Sequence, residues 1–265
     1  MSPVTIVTGG TFGLGLSMAV ELARKGHQVV AVGLRQSQVS STAQGLEDLE
    51  RAVAEAGVGG RVLAVEADVS QPADVQRVVD STLARFGRIN GLVNNAAIGP
   101  LGTVLDTDPD TFDRIMAVNV RGVYLMSRAV IPQMAQQGGG SIVNVGSGAG
   151  WGKPNMAAYA ASKGALFALS TAMAYDHFHQ HIRVNVALPG GGGIVSGMSV
   201  GRVGGDEALF KSRKVPGTVA GRPLNGADFA HTIAFLLSSE AQTISGTVID
   251  VGCFAHQGGP VPTQP

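Results

Sequence analysis

The sequence predicts an α/β fold, a doubly wound parallel sheet with helices on both faces, and three observations carry that prediction. Short β-branched runs alternate with longer segments of helical periodicity along the 265 residues. The runs are apolar almost throughout instead of on alternate residues, as in parallel strands buried on both faces. The segments between them are long enough to cross over from one strand to the next parallel one.

The elements follow in order. The first strand, VTIV at 4–7, runs into a glycine-rich turn and a helix over 13–25, where Leu16, Ala19, Val20, Leu22 and Ala23 keep helical spacing. QVVAV (28–32) precedes a helix over 42–56, and RVLAV (61–65) one over 72–86. INGLV (89–93) leads to a helical segment over 109–136, in front of which Asp108 and Asp110 flank Pro109 and read as capping residues. SIVNV (141–145), a helix over 156–178 and IRVNVAL (182–188) come next. A helix over 227–239 and the strand TVIDV (247–251) complete seven strands. The least regular segment, 190–220, opens with four successive glycines and reads as a long loop with one short helix near Asp206 to Lys214. Loops of that length inside a compact domain are usually functional. Residues 1–256 form one expected domain, and 257–265 an expected flexible tail.

Composition narrows the function. A formal net charge of zero offers no electrostatic case for nucleic acid or an anionic membrane, and no stretch reaches 18 uninterrupted apolar residues. The single Cys253 has no internal partner, and no Cys/His spacing suits a metal, so a reducing, cytoplasmic setting without a structural metal is expected. His177, His179 and His181 are spaced by two and do not share a helix face.

Two clusters carry chemistry. Thr8-Gly9-Gly10-Thr11-Phe12-Gly13-Leu14-Gly15 joins the first strand to the first helix, where a backbone turns sharply and approaches a pyrophosphate at the helix N-terminus. A plain tight turn is the alternative for that stretch alone. In 159-YAASK-163, Tyr159 and Lys163 lie one helical turn apart on one face. Ser147 follows the strand SIVNV, and Asn119 interrupts the apolar run 115-IMAVNVRGVYLM-126, where a buried amide needs partners.

The spacing TGxxxGxG, Asn94-Asn95-Ala96-Ala97 at the end of the fourth strand, and the set Asn119, Ser147, Tyr159 and Lys163 resemble the short-chain dehydrogenase/reductase family. Ala97 stands where the family usually has glycine. The resemblance implies a Rossmann-like seven-stranded sheet of order 3-2-1-4-5-6-7. It further implies an NAD(P)(H)-dependent oxidoreductase that interconverts a ketone and a secondary alcohol. Tyr159 would be the general acid/base, its pKa lowered by the Lys163 cation. Ser147 would bond the substrate oxygen, and Asn119 would hold a proton-relay water.

Cofactor contacts are implied for Thr8, Gly9, Thr11, Phe12, Gly13, Leu14 and Gly15, for Asp68 and Val69 at the adenine, and for Asn95, Ala96, Ala97, Tyr159 and Lys163. Pro189-Gly190 matches the family's Pro-Gly at the nicotinamide. After it, either Gly192 keeps the place of the family's branched residue, or Ile194 and Ser196 take the Ile and Thr places after a two-residue insertion. The second register is preferred because it restores a packing group and a hydroxyl, and the extra glycines then make a hinge for a substrate lid. Gly33 in place of an acidic residue, with Arg35 close by, favours NADP(H) over NAD(H), an ordinary solvated arginine being the alternative.

Ile98 to Leu101, Trp151 to Met156 and the 194–215 loop with Met198 and Phe210 are expected to line an apolar pocket. A homotetramer or homodimer is implied, joined through helices 109–136 and 156–178 and the C-terminal strand region, and Ala165, Phe167, Ala168 and Ala172 widen the apolar stripe of those helices. A catalytically silent cofactor sensor on the same fold is the second reading. A nucleotide-sugar epimerase, the third, would be expected to carry a larger C-terminal substrate domain.

Overall fold

The computed structural model describes residues 2–35, 45–190, 192–213 and 217–254. The flexible-tail expectation for 257–265, the start of the helix expected from 42 and Lys214 fall outside the described residues.

Seven strands form one sheet of order β3-β2-β1-β4-β5-β6-β7: β1 (Val4–Thr8), β2 (Gln28–Gly33), β3 (Val62–Glu66), β4 (Gly91–Asn94), β5 (Gly140–Val145), β6 (Ile182–Leu188) and β7 (Val248–Asp250). Every adjacent pair is parallel. The order and the direction are those the resemblance implies. Strand β1 is buried at all five positions, which is why it reads as an unbroken apolar run.

Helices cover both faces. On one side α1 (Gly13–Arg24), α2 (Leu46–Glu55) and α9 (Gly226–Leu237) bury Met18, Leu22, Leu49, Phe229 and Ile233 against Val7, Ala31 and Val143. On the other, α3 (Pro72–Phe86), α5 (Gly122–Gln136) and α6 (Ala157–Asp176) bury Val78, Met126, Met134 and Met173 against Ile6, Val30, Leu92 and Val184. Each such side chain contributes roughly 1.5–3 kcal/mol of transfer free energy.

The expected helix 109–136 is divided. Helix α4 (Pro109–Met116) is capped by Asp108, whose carboxylate accepts from the Thr111 N–H at 2.9 Å, so the capping reading of Asp108 holds. A π-helical turn, Ala117–Arg121, then separates it from α5. Such turns widen the backbone spiral by one residue and re-aim the side chains on it. Here the residue in the middle of the turn is Asn119.

A buried amide chain fixes α6 to the sheet. Asn94 Nδ2 donates to Asn144 Oδ1 and Asn144 Nδ2 to the Ser170 hydroxyl, both at 2.8 Å. All three residues are buried, so the satisfied network sets one register of β4, β5 and α6. The 190–220 segment is less irregular than expected, holding α7 (Gly197–Gly201) and α8 (Glu207–Ser212). Ser196 and Ser199 close a capping box on α7.

Candidate active site

A cleft of about 780 Å³ opens at the C-terminal ends of β1, β4, β5 and β6, where the strand order reverses between β1 and β4. Open α/β sheets bind their ligands at such a switch point, because the connections leaving the two strands run to opposite faces and part there. The walls gather the separated sequence clusters: Gly9, Thr11, Phe12, Leu14 and Gly15; Asp68 and Val69; Asn95, Ala96 and Ala97; Ser147, Tyr159 and Lys163; Pro189, Gly190, Ile194 and Ser196.

The glycine turn is built to bring backbone close. A Cβ on Gly15 would stand 1.9 Å from the Gly9 carbonyl oxygen and 2.7 Å from Asn95 Nδ2. Gly9 itself has φ +61°. Asn95 secures the arrangement, its side-chain amide donating to the Thr8 and Gly9 carbonyls at 3.0 and 3.2 Å. Thr8 does not line the cleft; its buried hydroxyl accepts from the Asn95 and Ala96 N–H groups at 3.0 and 3.1 Å and fastens β1 to the end of β4. Gly13 likewise lies beneath the lining, with φ +55° and Ser196 Cβ 3.0 Å from where its own Cβ would be.

At the β2 end, a Cβ on Gly33 would meet the Thr11 hydroxyl at 2.2 Å, so Thr11 fills the place a larger residue would need. Arg35 is exposed outside the lining and pairs with Glu66 at 3.3 Å. The Asp68 carboxylate accepts from the Ser70 N–H and hydroxyl at 2.9 and 2.8 Å.

At the β5 end, Tyr159 is buried and hydrogen-bonds Ser147. Burial pushes the phenol above its ordinary value, opposed by the Ser147 bond and by the charge of Arg202. The expected lowering by Lys163 is therefore corrected. Lys163 Nζ donates to the Val145 carbonyl at 2.7 Å and stands 5.8 Å from the Tyr159 ring centroid, while desolvation raises the phenolate's cost.

Asn119 has both amide hydrogens engaged, with the Ile98 carbonyl at 2.8 Å and the Ser162 hydroxyl at 2.9 Å, and its oxygen accepts from the Ile98 N–H at 2.9 Å. It braces the segment that follows β4 against Ser162, the residue preceding Lys163.

Burial brings the Lys163 pKa down to about 8. Its folded value thus lies below its unfolded one, so between pH 8 and 10.5 the unfolded chain binds more protons and stability rises with pH. Lys163→Met is expected to stabilise the protein at pH 7 by about 1–3 kcal/mol and to flatten that rise, as read by chemical denaturation at several pH values.

The pocket lining differs from expectation in two segments. Ile98, Met198 and Phe210 line it, whereas residues 99–101 and the whole of 151–156 do not; Leu101 and Trp151 face outward, 43% and 52% exposed, with Trp151 against Phe167. Ser70, Gln71, Arg114, Ala117 and Val118 also line the cleft and were not anticipated, and within the expected 194–215 loop Arg202 was not singled out. Arg202 places its guanidinium 5.3 Å from the Tyr159 ring centroid. The signal available was its spacing, four residues after Met198 and so on the same helical face.

Close contacts surround the described glycines at the two ends of the glycine run. A Cβ on Gly252 would come within 2.0 Å of the Gly190 Cα, and one on Gly193 within 2.6 Å of Pro223 Cβ. Both glycines therefore permit close packing of backbone.

Comparisons agree with this geometry. A family model described as short chain dehydrogenase matches residues 3–200. The 2-(S)-hydroxypropyl-CoM dehydrogenase 3 of Xanthobacter autotrophicus is 38% identical over 261 residues, covering 97% of this chain and 95% of that protein. Levodione reductase of Leifsonia aquatica is 33% identical over 94% of this chain and 92% of its own. Among solved structures, a 3-ketoacyl-(acyl-carrier-protein) reductase from Brucella melitensis complexed with NADH is 34% identical, with a TM-score of 0.79 over 96% of this chain and 98% of that one.

Proposed function

The chain belongs to the short-chain dehydrogenase family and is an oxidoreductase acting on CH–OH groups, and from that premise we propose that it interconverts a ketone and a secondary alcohol with a nicotinamide dinucleotide. The observation that carries the reading is the Ser147, Tyr159 and Lys163 group at the inner end of a cleft whose outer end is the glycine turn. The fit is steric: the turn leaves at Gly15 and Gly9 no room for side chains and presents backbone N–H groups at the start of α1. When bound, the dinucleotide supplies or accepts the hydride.

The chain's own residues handle the proton. Tyr159 donates it to the carbonyl oxygen in reduction and takes it from the alcohol in oxidation, with Ser147 bonding the same oxygen. A raised phenol pKa keeps Tyr159 protonated and ready for the reductive direction; the charges of Arg202 and of an oxidised nicotinamide would favour the phenolate for the oxidative one. Asn119 positions Ile98 and Ser162, and through Ser162 the segment of α6 that carries Lys163. Ser196, against Gly13, and Ile194, packed on the core and lining the cleft, support the register with a two-residue insertion. Absorbance of the reduced cofactor across a panel of ketones and alcohols tests the reaction. Cofactor binding without turnover of any of them would favour the silent-sensor reading.

NADP(H) is the preferred cofactor in this proposal, with Arg35 meeting the 2′-phosphate and NAD(H) also accepted. Because Glu66 already holds Arg35, Glu66→Gln is expected to tighten NADPH binding about 3- to 10-fold and leave NADH nearly unchanged. Fluorescence titration with each cofactor checks this; Arg35→Ala should erase the difference.

The exposed small face of α6, with Ala168 and Ala172 beside Tyr175, supports assembly into a homotetramer or homodimer. Ala172→Arg is expected to shift the light-scattering mass toward that of a monomer. A single domain over 1–256 in a reducing, cytoplasmic setting completes the proposal, supported by one continuous sheet and a lone Cys253. No described helix is long and apolar enough to cross a membrane.

A further inference from the structure

We propose that Arg202 is a substrate-binding residue that selects ketones and alcohols bearing a carboxylate or sulfonate a few bonds from the reacting carbon. The inference rests on the proposed function for the position of that carbon, beside Tyr159.

Arg202 follows α7 and lines the cleft next to Met198 and Phe210. Its guanidinium lies over the Tyr159 ring at 5.3 Å, within cation–π range and beside the phenol that exchanges the proton. One Nη donates to the Gly99 carbonyl at 3.3 Å, a long bond, and the buried Nε has no partner among the described residues. Among the described residues no carboxylate is set against it; its electrostatic neighbour is Tyr159. Arginine is a five-donor fork that stays charged when buried, so most of its bonding capacity is unspent.

A partly buried cation without a counter-ion is costly, and a buried N–H without an acceptor adds to that cost. An oxyanion on the substrate relieves both with one short turn of the side chain and matches the planar fork. The dinucleotide's pyrophosphate is the competing anion, but its cradle of Gly9 to Gly15 lies at the end of β1. Arg202 instead sits beside Gly99, beyond the end of β4, and over the phenol. The acidic lining residue, Asp68, follows β3, four strands from β5, and offers Arg202 no partner.

The test is calorimetric binding to the enzyme saturated with oxidised cofactor, a complex in which ketones bind without turning over. Acetoacetate, laevulinate and acetonyl sulfonate are compared with the two methyl esters and the neutral methyl sulfone. At least one oxyanion should bind about 10- to 100-fold tighter than its neutral counterpart, the carboxylate and sulfonate arms showing which is preferred. Arg202→Gln should remove that ratio and Arg202→Glu invert it, with cofactor affinity retained as evidence of folding.

A ratio near one in the wild type, an equal loss for charged and neutral ketones in Arg202→Gln, or a loss of cofactor affinity instead would overturn the proposal. Ketones bound with an Arg202-dependent preference yet reduced with neither NADH nor NADPH would sink the proposed reaction and leave the anion site standing.

Discussion

Tyr159→Phe is expected to lower kcat by about three orders of magnitude while leaving KM and cofactor affinity within a few-fold of wild type. The substitution removes only the hydroxyl, so the buried ring keeps its place against Gly99 and beneath Arg202. What is lost is a proton donor aimed at the substrate oxygen, and Ser147 cannot replace it because a hydroxyl of much higher pKa is a poor acid at neutral pH. A steady-state comparison on one good substrate suffices. Turnover within tenfold of wild type would mean that the proton comes from elsewhere and that Tyr159 is not the general acid.

Gly15→Ala should be among the most damaging single-methyl changes at the described residues. The added carbon would stand 1.9 Å from the Gly9 carbonyl oxygen, a backbone atom that can retreat only by opening the turn. Asn95 Nδ2, 2.7 Å away, would be pushed from the two carbonyls it now bridges. Overpacking of this kind costs about 1–3 kcal/mol, and the latch bonds add to it. A melting temperature lower by several degrees and cofactor binding weakened by at least about 100-fold are the expected readings. Binding that survives intact would show that the cofactor does not use this turn.

Much of the fold and of the site is legible in the sequence because it is local. The limits of β6 and α3 follow from β-branched or helically periodic runs bounded by turn residues. Glycine clusters, the Tyr159 and Lys163 spacing and the capping Asp108 are patterns within a few residues. What the sequence hides depends on contacts made across the fold. Nothing near Asn119 in the chain announces a π-helical turn, which sits where α4 and the turn itself pack on α6, α5 packs on α3 and the sheet, and the amide meets Ile98. Thr8 has the motif's expected position, yet its hydroxyl is claimed by Asn95 and Ala96, 87 and 88 residues away. The pKa of Tyr159 turns on burial, which outweighs the neighbouring charge that spacing alone suggests. Arg202 gives only a weak local signal, its spacing from Met198, because an arginine at a helix end is ordinarily solvated, and only the folded chain places it over the phenol.

The backbone contacts at Gly190, Gly193 and Gly252 also divide the loop into parts of unequal mutability. Any side chain at 193 or 252 collides with main chain or with Pro223, so a randomised library spanning the segment would return few folded variants from those codons. Met198, Arg202 and Phe210 meet no such restriction, since each projects from the loop toward the cleft. An evolutionary path to a new substrate would accumulate changes at these three positions while the glycines stay fixed. In that sense Gly193 and Gly252 are the fixed frame around a replaceable specificity cassette.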